Sequence, residues 1–594
     1  MADAETWTPC CSIEEADRIL THTGGLLEIE TRIVDGGVLK VWKNLWPSLR
    51  LFFLHSTKKY ADKTYIVYEK ERYTFREILD KSVRCAAIFR DVYGVKKGDR
   101  VAICSRNCPT YLIVFWACHL LGAVTALVDI SQPLELLGYC ITLTRCALIV
   151  LDPERADMIE PIVAELSLAS DASGYLVLED HKGKGYWEGM DVWSSVSSGY
   201  NKEPGDVLSD DPQILPEDNA SITFTSGTTG LPKGVLSSQR AFLTPIFNVF
   251  SLAGRDCFRR GEPFPPIPDT GPQEGTLIPR SLCNATAFNT AMFGTSQGLK
   301  LVLTRTWNID EGKLYKTENI TRLSSTSSIV RELVDSPLSE ISIKTIAYGG
   351  TSMAASHFQR LKQAFPLATF IQVYGLTENG GSAVGFAGPD FSARPNSCGF
   401  VSPVNEILIM KDGVKVAPGA VGEIWLRGPN VMKGYYDDSA ATDKVLTKDG
   451  WLLTGDLGRM DEYGYVYIND RREDIIICGG NNVESIFVEN ALYTEPGVLE
   501  TAVVGVPDEH LGELPVALVT LKPRYHGLVN EEKLRATAKK LLPKYAVPVM
   551  IILYDRGFDH TSSGKIIKAP LRDVAKREWA RRSGKEQSNL RATR

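Results

Sequence analysis

The run Tyr111–Val128, YLIVFWACHLLGAVTALV, constrains this 594-residue chain more than any other segment. Its length touches the lower limit for a membrane-spanning helix. It carries His119, however, breaks at Leu121-Gly122-Ala123 and turns β-branched beyond the break. It therefore divides into a buried helix over 111–122 followed by a buried strand. The same rhythm surrounds it. Thr74-Phe75-Arg76-Glu77 is a capping-box pattern that opens a helix with Phe75, Ile78, Leu79, Val83 and Ala86 on one face, and Gly94 is its stop. Arg100–Cys104, Leu148–Asp152 and Leu176–Leu178 read as short buried strands. Strand, helix, strand in succession predicts an α/β region with a parallel sheet.

The rhythm changes further along. Residues 254–276, rich in Pro, Gly and charge, are expected to form a surface loop. The α/β pattern resumes at Leu301–Leu303 and Thr345–Tyr348. From about 400 to 468 the chain is strand-rich and punctuated by Gly and Pro, which predicts a small barrel or sheet module. Residues 474–575 read as a separate α+β domain containing a helix over Glu531–Leu542. Asp470-Arg471-Arg472-Glu473 is a candidate hinge after a 1–469 N-terminal region. Residues 576–594 carry seven Lys/Arg against two Glu and are expected to be a solvated, frayed tail.

Composition excludes several classes. A net charge of −6 and a pI of 5.9 argue against a nucleic-acid-binding surface. The 12 cysteines have no repeating spacing, and neither Cys10-Cys11 nor Cys104-x3-Cys108 is accompanied by a Cys/His set of zinc spacing, so buried free thiols are expected. The acidic N-terminus lacks an apolar signal region and the chain ends Ala-Thr-Arg rather than Ser-Lys-Leu, which predicts a cytoplasmic protein; a monomer or homodimer is expected separately.

Phe224–Gly234 reads FTSGTTGLPKG: three glycines, four hydroxyl side chains and one lysine in eleven residues. Glycines let backbone N–H groups approach phosphate oxygens, hydroxyls add donors and Lys233 adds charge. Pro232 and Gly234 stand where a Walker loop needs Gly and Ser/Thr, so this is not a P-loop. Tyr374-Gly-Leu-Thr-Glu378, Thr454-Gly-Asp456, Arg471 and Thr561-Ser-Ser-Gly-Lys565 follow in order. Together these motifs resemble the adenylate-forming superfamily, which includes acyl- and aryl-CoA ligases, nonribosomal adenylation domains and beetle luciferases. The resemblance covers roughly residues 60 to 575.

It implies an α/β fold: a large N-terminal region of two α/β subdomains plus a small β-barrel, and a mobile C-terminal α+β domain. It implies phosphate contacts from Thr225, Ser226, Gly227, Thr228, Thr229, Gly230 and Lys233, and a backbone turn beside adenine at Gly349, Gly350 and Thr351. Tyr374 is matched to the ring that stacks on adenine, Thr377 to the α-phosphate contact and Glu378 to the Mg2+ ligand. Asp456 and Arg471 are matched to the ribose contacts, and Lys565 to the lysine that bridges the acid and the α-phosphate. Glu473 falls at the hinge, and Gly480 on a glycine beside the pantetheine channel. Asn284, Ala285, Phe288, Asn289 and Gly380 are the acid-pocket candidates. The implied activity is ligation of a small carboxylic acid to coenzyme A through an acyl-adenylate, with ATP and Mg2+; an amine or a carrier-protein thiol as acceptor, or a silent adenylate-binding protein, are the alternatives. The chain departs from the family at Gln239, at Pro279-Arg-Ser-Leu282 and at Asn481, where relatives carry His, Pro-Leu-Phe-His and Glu.

Overall fold

In the computed structural model the described residues are 7–170, 172–225, 231–264, 271–305, 312–326, 329–330, 333–334, 342–350, 353, 355–561 and 564–592. The Tyr111–Val128 run splits as its sequence requires. A helix spans Pro109–Leu121, Gly122 ends it at φ +75°, and the strand Val124–Leu127 follows, all four residues buried. The Thr74 capping box is present in full and opens a helix over Phe75–Asp91, whose Phe75, Ile78, Val83 and Ala86 are buried.

These elements build two large sheets. An eight-stranded sheet takes its core from Arg100–Cys104, Val124–Leu127, Leu148–Leu151 and Tyr175–Val177, all parallel. A nine-stranded sheet has Thr369–Tyr374, Thr345–Gly349, Ile320–Thr326 and Gly275–Ile278 as parallel neighbours at its centre. The strand-rich stretch forms a five-stranded antiparallel sheet from Glu406–Lys411 to Val466–Arg471, and its outer strands do not pair with each other among the described residues, so the module is open. The C-terminal unit has its own apolar core, with the long hairpin Val498–Asp508 and Gly512–Leu521 backed by the Ser485–Leu492 and Glu531–Leu541 helices. No helix among the described residues is long and apolar enough to cross a membrane.

Two expectations are corrected. Residues 254–259 are not loop: a helix runs Gln239–Arg259 and buries Gly254, Arg255, Asp256, Cys257 and Arg259. Its charges are deceptive because they are paired inward. Arg255 meets Asp17 at 2.6 Å, and Arg259 meets Asp390. An N-terminal helix, Ile13–Leu20, lies directly on it, and a Cβ at Gly254 would sit 2.3 Å from Leu20 Cδ2. The 576–594 tail is not frayed over most of its length, because one helix spans Lys568–Ala592. Trp579 packs against the C-terminal core and Arg582 pairs with Glu531 at 2.8 Å, contacts that a reading of charge density misses.

Candidate active site

The phosphate-loop motif is the connection between two antiparallel strands. Asn219–Phe224 leads in, Gly234–Ser238 leads out, and Thr225 N–H donates to the Lys233 carbonyl at 2.9 Å to close the neck. Thr225 and Lys233 border a cavity of about 1740 Å³. Ser226, Gly227, Thr228, Thr229 and Gly230 lie outside the described residues, as does Thr351.

The second motif closes the C-terminal end of Thr369–Tyr374. A Cβ at Gly375 would come within 2.4 Å of Gly381 backbone, so the chain doubles back tightly there. Thr377–Asn379 forms a short 3-10 turn held by Asn379 Oδ1, which accepts from Leu376 N–H at 2.8 Å. Thr377 and Glu378 face the cavity. Gly349 and Gly350 border it from the next strand, and a Cβ at Gly349 would strike the Val373 carbonyl at 2.5 Å.

The five-stranded sheet brings the third group. Asp456 and Arg471 are register partners, and Arg471 Nε lies 3.0 Å from Asp456 Oδ1. Tyr374 Oη donates to Asp456 Oδ2 at 2.8 Å. The carboxylate is the main cause that holds the Arg471 guanidinium above its usual range, while burial, followed by the Asp456 charge, pushes the Tyr374 phenol up.

The C-terminal unit supplies the fourth. In the last motif Thr561 N–H donates to the Lys565 carbonyl at 2.8 Å, and Lys565 N–H donates to Thr561 Oγ1 at 3.1 Å. This loop aims Lys565 into the same cavity. Burial and then Arg471 lower its ammonium pKa, opposed by Asp456, Glu378 and Glu473. A cation facing these carboxylates, of which Asp456 is already paired with Arg471, is well suited to steady developing charge at phosphorus.

The structure brings Glu473 to the cavity edge, where its carbonyl accepts from Arg572 at 3.3 Å. Asn284, Ala285 and Asn289 line the cavity, and Asn289 Nδ2 donates to the Gly380 carbonyl at 2.6 Å. Gly380 itself sits under the helix, against Pro245 and the Ala241 carbonyl that Pro245 leaves without a helical donor. Phe288 does not reach the large cavity. It is 2% exposed and packs on Phe115 and Phe242 at 4.4 and 5.4 Å, because consecutive helix positions point about 100° apart and turn its face away from that of Asn289. Gly480 is exposed in a turn at φ +80° and does not border the cavity either.

Sequence reasoning missed Tyr435. Its hydroxyl donates to Glu378 Oε1 at 2.8 Å, and Lys233 Nζ sits 4.9 Å over its ring. Gly434–Tyr435 pairs as an edge strand with Val235 and Leu236. No local pattern announces this, because the pairing joins positions about 200 residues apart. The departures also gain a reason. Gln239 is fully buried and accepts from Leu49 N–H at 2.9 Å, and Leu282 is buried with its N–H on Asn107, so both serve packing.

The family model for AMP-binding enzymes matches residues 53–436, and that for the AMP-binding enzyme C-terminal domain matches residues 488–565. This chain belongs to the AMP-binding enzymes. The motif resemblance is therefore to the family it belongs to, and this AMP-binding enzyme has the fold expected of one. It is 28% identical to the medium-chain fatty-acid–CoA ligase of Escherichia coli, over 90% of its own length and 92% of the relative's. It superposes on the o-succinylbenzoate CoA synthetase of Bacillus subtilis in complex with its acyl-adenylate intermediate, with TM-score 0.72 and 25% identity over 89% and 98% of the two chains. It also superposes on the amide bond synthetase McbA of Marinactinospora thermotolerans, with TM-score 0.73 and 26% identity over 89% and 99%.

Proposed function

We propose that this AMP-binding enzyme is an ATP-dependent acid–thiol ligase. It activates a carboxylic acid as an acyl-adenylate, releases pyrophosphate and passes the acyl group to coenzyme A. The observation that carries the reading is convergence. Lys565 from the C-terminal unit, Glu378 from the nine-stranded sheet, and Asp456 with Arg471 from the five-stranded sheet border one cavity with the phosphate-loop neck. In this reading Tyr374 flanks the adenine, Asp456 and Arg471 hold the ribose, and Thr225, Lys233 and Thr377 take phosphate oxygens. Lys565 bridges the acid and the α-phosphate, and catalysis is chiefly positioning and charge neutralisation.

A magnesium site fits the donors present. Glu378 spends one oxygen on the Tyr435 hydroxyl and faces the cavity, and a hard carboxylate oxygen suits Mg2+. Mg2+ held there would offset phosphate charge.

For the thiol step, the C-terminal unit turns about Glu473 and withdraws Lys565, bringing Gly480 to the cavity. Among the described residues the contacts that turn must break include Asn469 Nδ2 to Glu484 Oε1 at 2.8 Å, Asp470 to Ser485, and the His357–Tyr493 ring contact at 4.9 Å. The exposed position of Gly480 also keeps a second reading in play, transfer to an amine, the chemistry named for McbA. The intact Lys565, Glu378 and Asp456 set favour catalysis over silent adenylate binding. We further propose that the enzyme works in the cytoplasm as a monomer or homodimer. The deciding experiment is a panel of acids scored by pyrophosphate release with coenzyme A, with amines and with neither. Acyl-adenylate that never yields acyl-CoA removes the thiol assignment.

A further inference from the structure

The cavity extends well beyond the nucleotide groups. It runs down one face of the nine-stranded sheet, beneath the Gln239–Arg259 and Ala285–Gln297 helices. Three rows of register partners line it. Gly349 and Val373 form the row nearest the Tyr374 end, and Ser324, Ala347 and Ile371 form the next. Thr276, Arg322, Thr345 and Thr369 form the last. Side chains of alternate residues share a face, so all three rows look the same way. The opposite wall is Val249 and Ala253 of one helix and Thr290 and Phe293 of the other. The middle of the channel is thus small and apolar, while its far end is hydroxyl-lined and carries one guanidinium.

That guanidinium is under-used. Among the described residues Arg322 Nε is buried without a hydrogen bond, in a loose ion pair 3.5 Å from Glu274 Oε2, and Nη1 reaches Thr345 Oγ1 only at 3.4 Å, while the side chain as a whole is 36% exposed. Glu274 is already taken: Lys344 Nζ lies 2.6 Å from Oε1, and the Thr321 hydroxyl donates to Oε2 at 2.8 Å. Two cations share one carboxylate, which leaves positive charge in excess at this end. The neighbouring acid, Asp256, borders the cavity too, but it faces Arg260 at 3.1 Å. The remaining Lys and Arg side chains among the described lining lie on the phosphate-loop segment, the five-stranded sheet or the C-terminal unit.

We infer that Arg322 is a specificity-determining residue that receives a second anionic group at the far end of the acid, so that the substrate is a dicarboxylic acid or an acid with an equivalent terminal anion. This rests on the ligase reading of the same cavity. The Arg322 row stands four residues along the strand from the Gly349 row, about 13 Å. An acetate-sized acid activated beside Lys565 cannot reach it; a medium-length chain or a ring with two acidic arms can. A plain alkyl tail would leave the buried Nε–H unpaired, whereas a carboxylate gives it a charge-assisted partner.

The test compares octanoate with suberate, and their shorter and longer pairs, by pyrophosphate exchange and by calorimetric binding without ATP. Wild-type enzyme prefers the diacid. Arg322→Met lowers kcat/KM for the diacid relative to the monoacid by about 10- to 100-fold, while ATP affinity, read separately, reports that the fold is intact. Arg322→Lys retains part of the preference. A wild-type preference for the monoacid at every length, or an equal loss for both acids in Arg322→Met, overturns the assignment. Absence of exchange with every acid sinks the ligase reading instead, and the calorimetric comparison of diacid with monoacid still decides the role of Arg322.

Discussion

Asp456→Asn isolates what one oxygen contributes. Asp456 is buried and divides its carboxylate between two donors, Tyr374 Oη on Oδ2 at 2.8 Å and Arg471 on Oδ1 at 3.0 Å. Asparagine fills the same space but keeps one acceptor and turns an amide N–H2 toward the other donor. In the proposed complex both oxygens also face the ribose hydroxyls, so the variant loses one charge-assisted hydrogen bond to ATP, worth about 1.5–3 kcal/mol. The expected result is an ATP dissociation constant raised about 10- to 150-fold. The free protein pays separately, because one donor of the Tyr374–Arg471 pair loses its partner at a cost of about 1–3 kcal/mol. Calorimetric ATP titration and a thermal melt on the same preparation separate the two terms. A variant that melts lower yet binds ATP as tightly as the wild type would falsify the nucleotide role and leave Asp456 as a tie between two strands.

The other expectations follow from the same geometry. Lys565→Ala should lower acid-dependent pyrophosphate exchange about 10²–10³-fold; because the Lys565 ammonium is depressed, the wild-type rate should fall on the alkaline side at a pH below the usual lysine range, and Lys565→Arg should lose that limb. Gly480→Leu should spare adenylation and block thioester formation; a Cβ there meets nothing within 4 Å, so the cost to the fold is the strain of φ +80°, about 1–2 kcal/mol, and equal loss of both steps would refute a role confined to the thiol. Burial pushes the Asp470 carboxyl up to about 6. Burial favours the protonated carboxyl while Lys568 and Ser485 favour the ionised form, so the packing that encloses Asp470, rather than its hydrogen bond to Ser485, is favoured at low pH and weakens as pH rises from 4 through 6. Protease sensitivity of the 470–474 segment should rise over that range, and an identical profile in Asp470→Asn would refute it. Deleting residues 576–594 should destabilise the C-terminal unit by about 1–2 kcal/mol through loss of the Trp579 packing, read as a lower denaturant midpoint.

Local rules carried the sequence reading furthest where the pattern is short-range. The Thr74 cap, the Gly122 break and the four buried residues Val101–Cys104 each follow from a few neighbouring side chains. The motif residues were legible for a different reason: a loop that must wrap phosphate has few compositions open to it, and Thr225, Lys233, Glu378, Asp456 and Lys565 do border one cavity. What sequence could not supply was partner identity. The charges at 255–259 look solvated until Asp17 and Asp390 are found opposite them, and Tyr435 looks ordinary until its strand is seated beside the phosphate loop. Phe288 and Asn289 differ by one position, yet 100° of helix rotation sends one into the aromatic core and the other to the cavity. Arg322 carried no motif at all; its interest arises only from the register that aligns it with Thr345 and Thr369.

The helix Ile13–Leu20 gives the acid channel a rear buttress. It grips the Gln239–Arg259 helix at Gly254 and Arg255, immediately behind Ala253 and Asp256, which face the channel. The width of the acid channel is thereby tied to the helix Ile13–Leu20. Fusions or cleavage at the N-terminus should retune which acids fit while leaving the nucleotide end untouched, so the two ends of a single cavity can be adjusted independently.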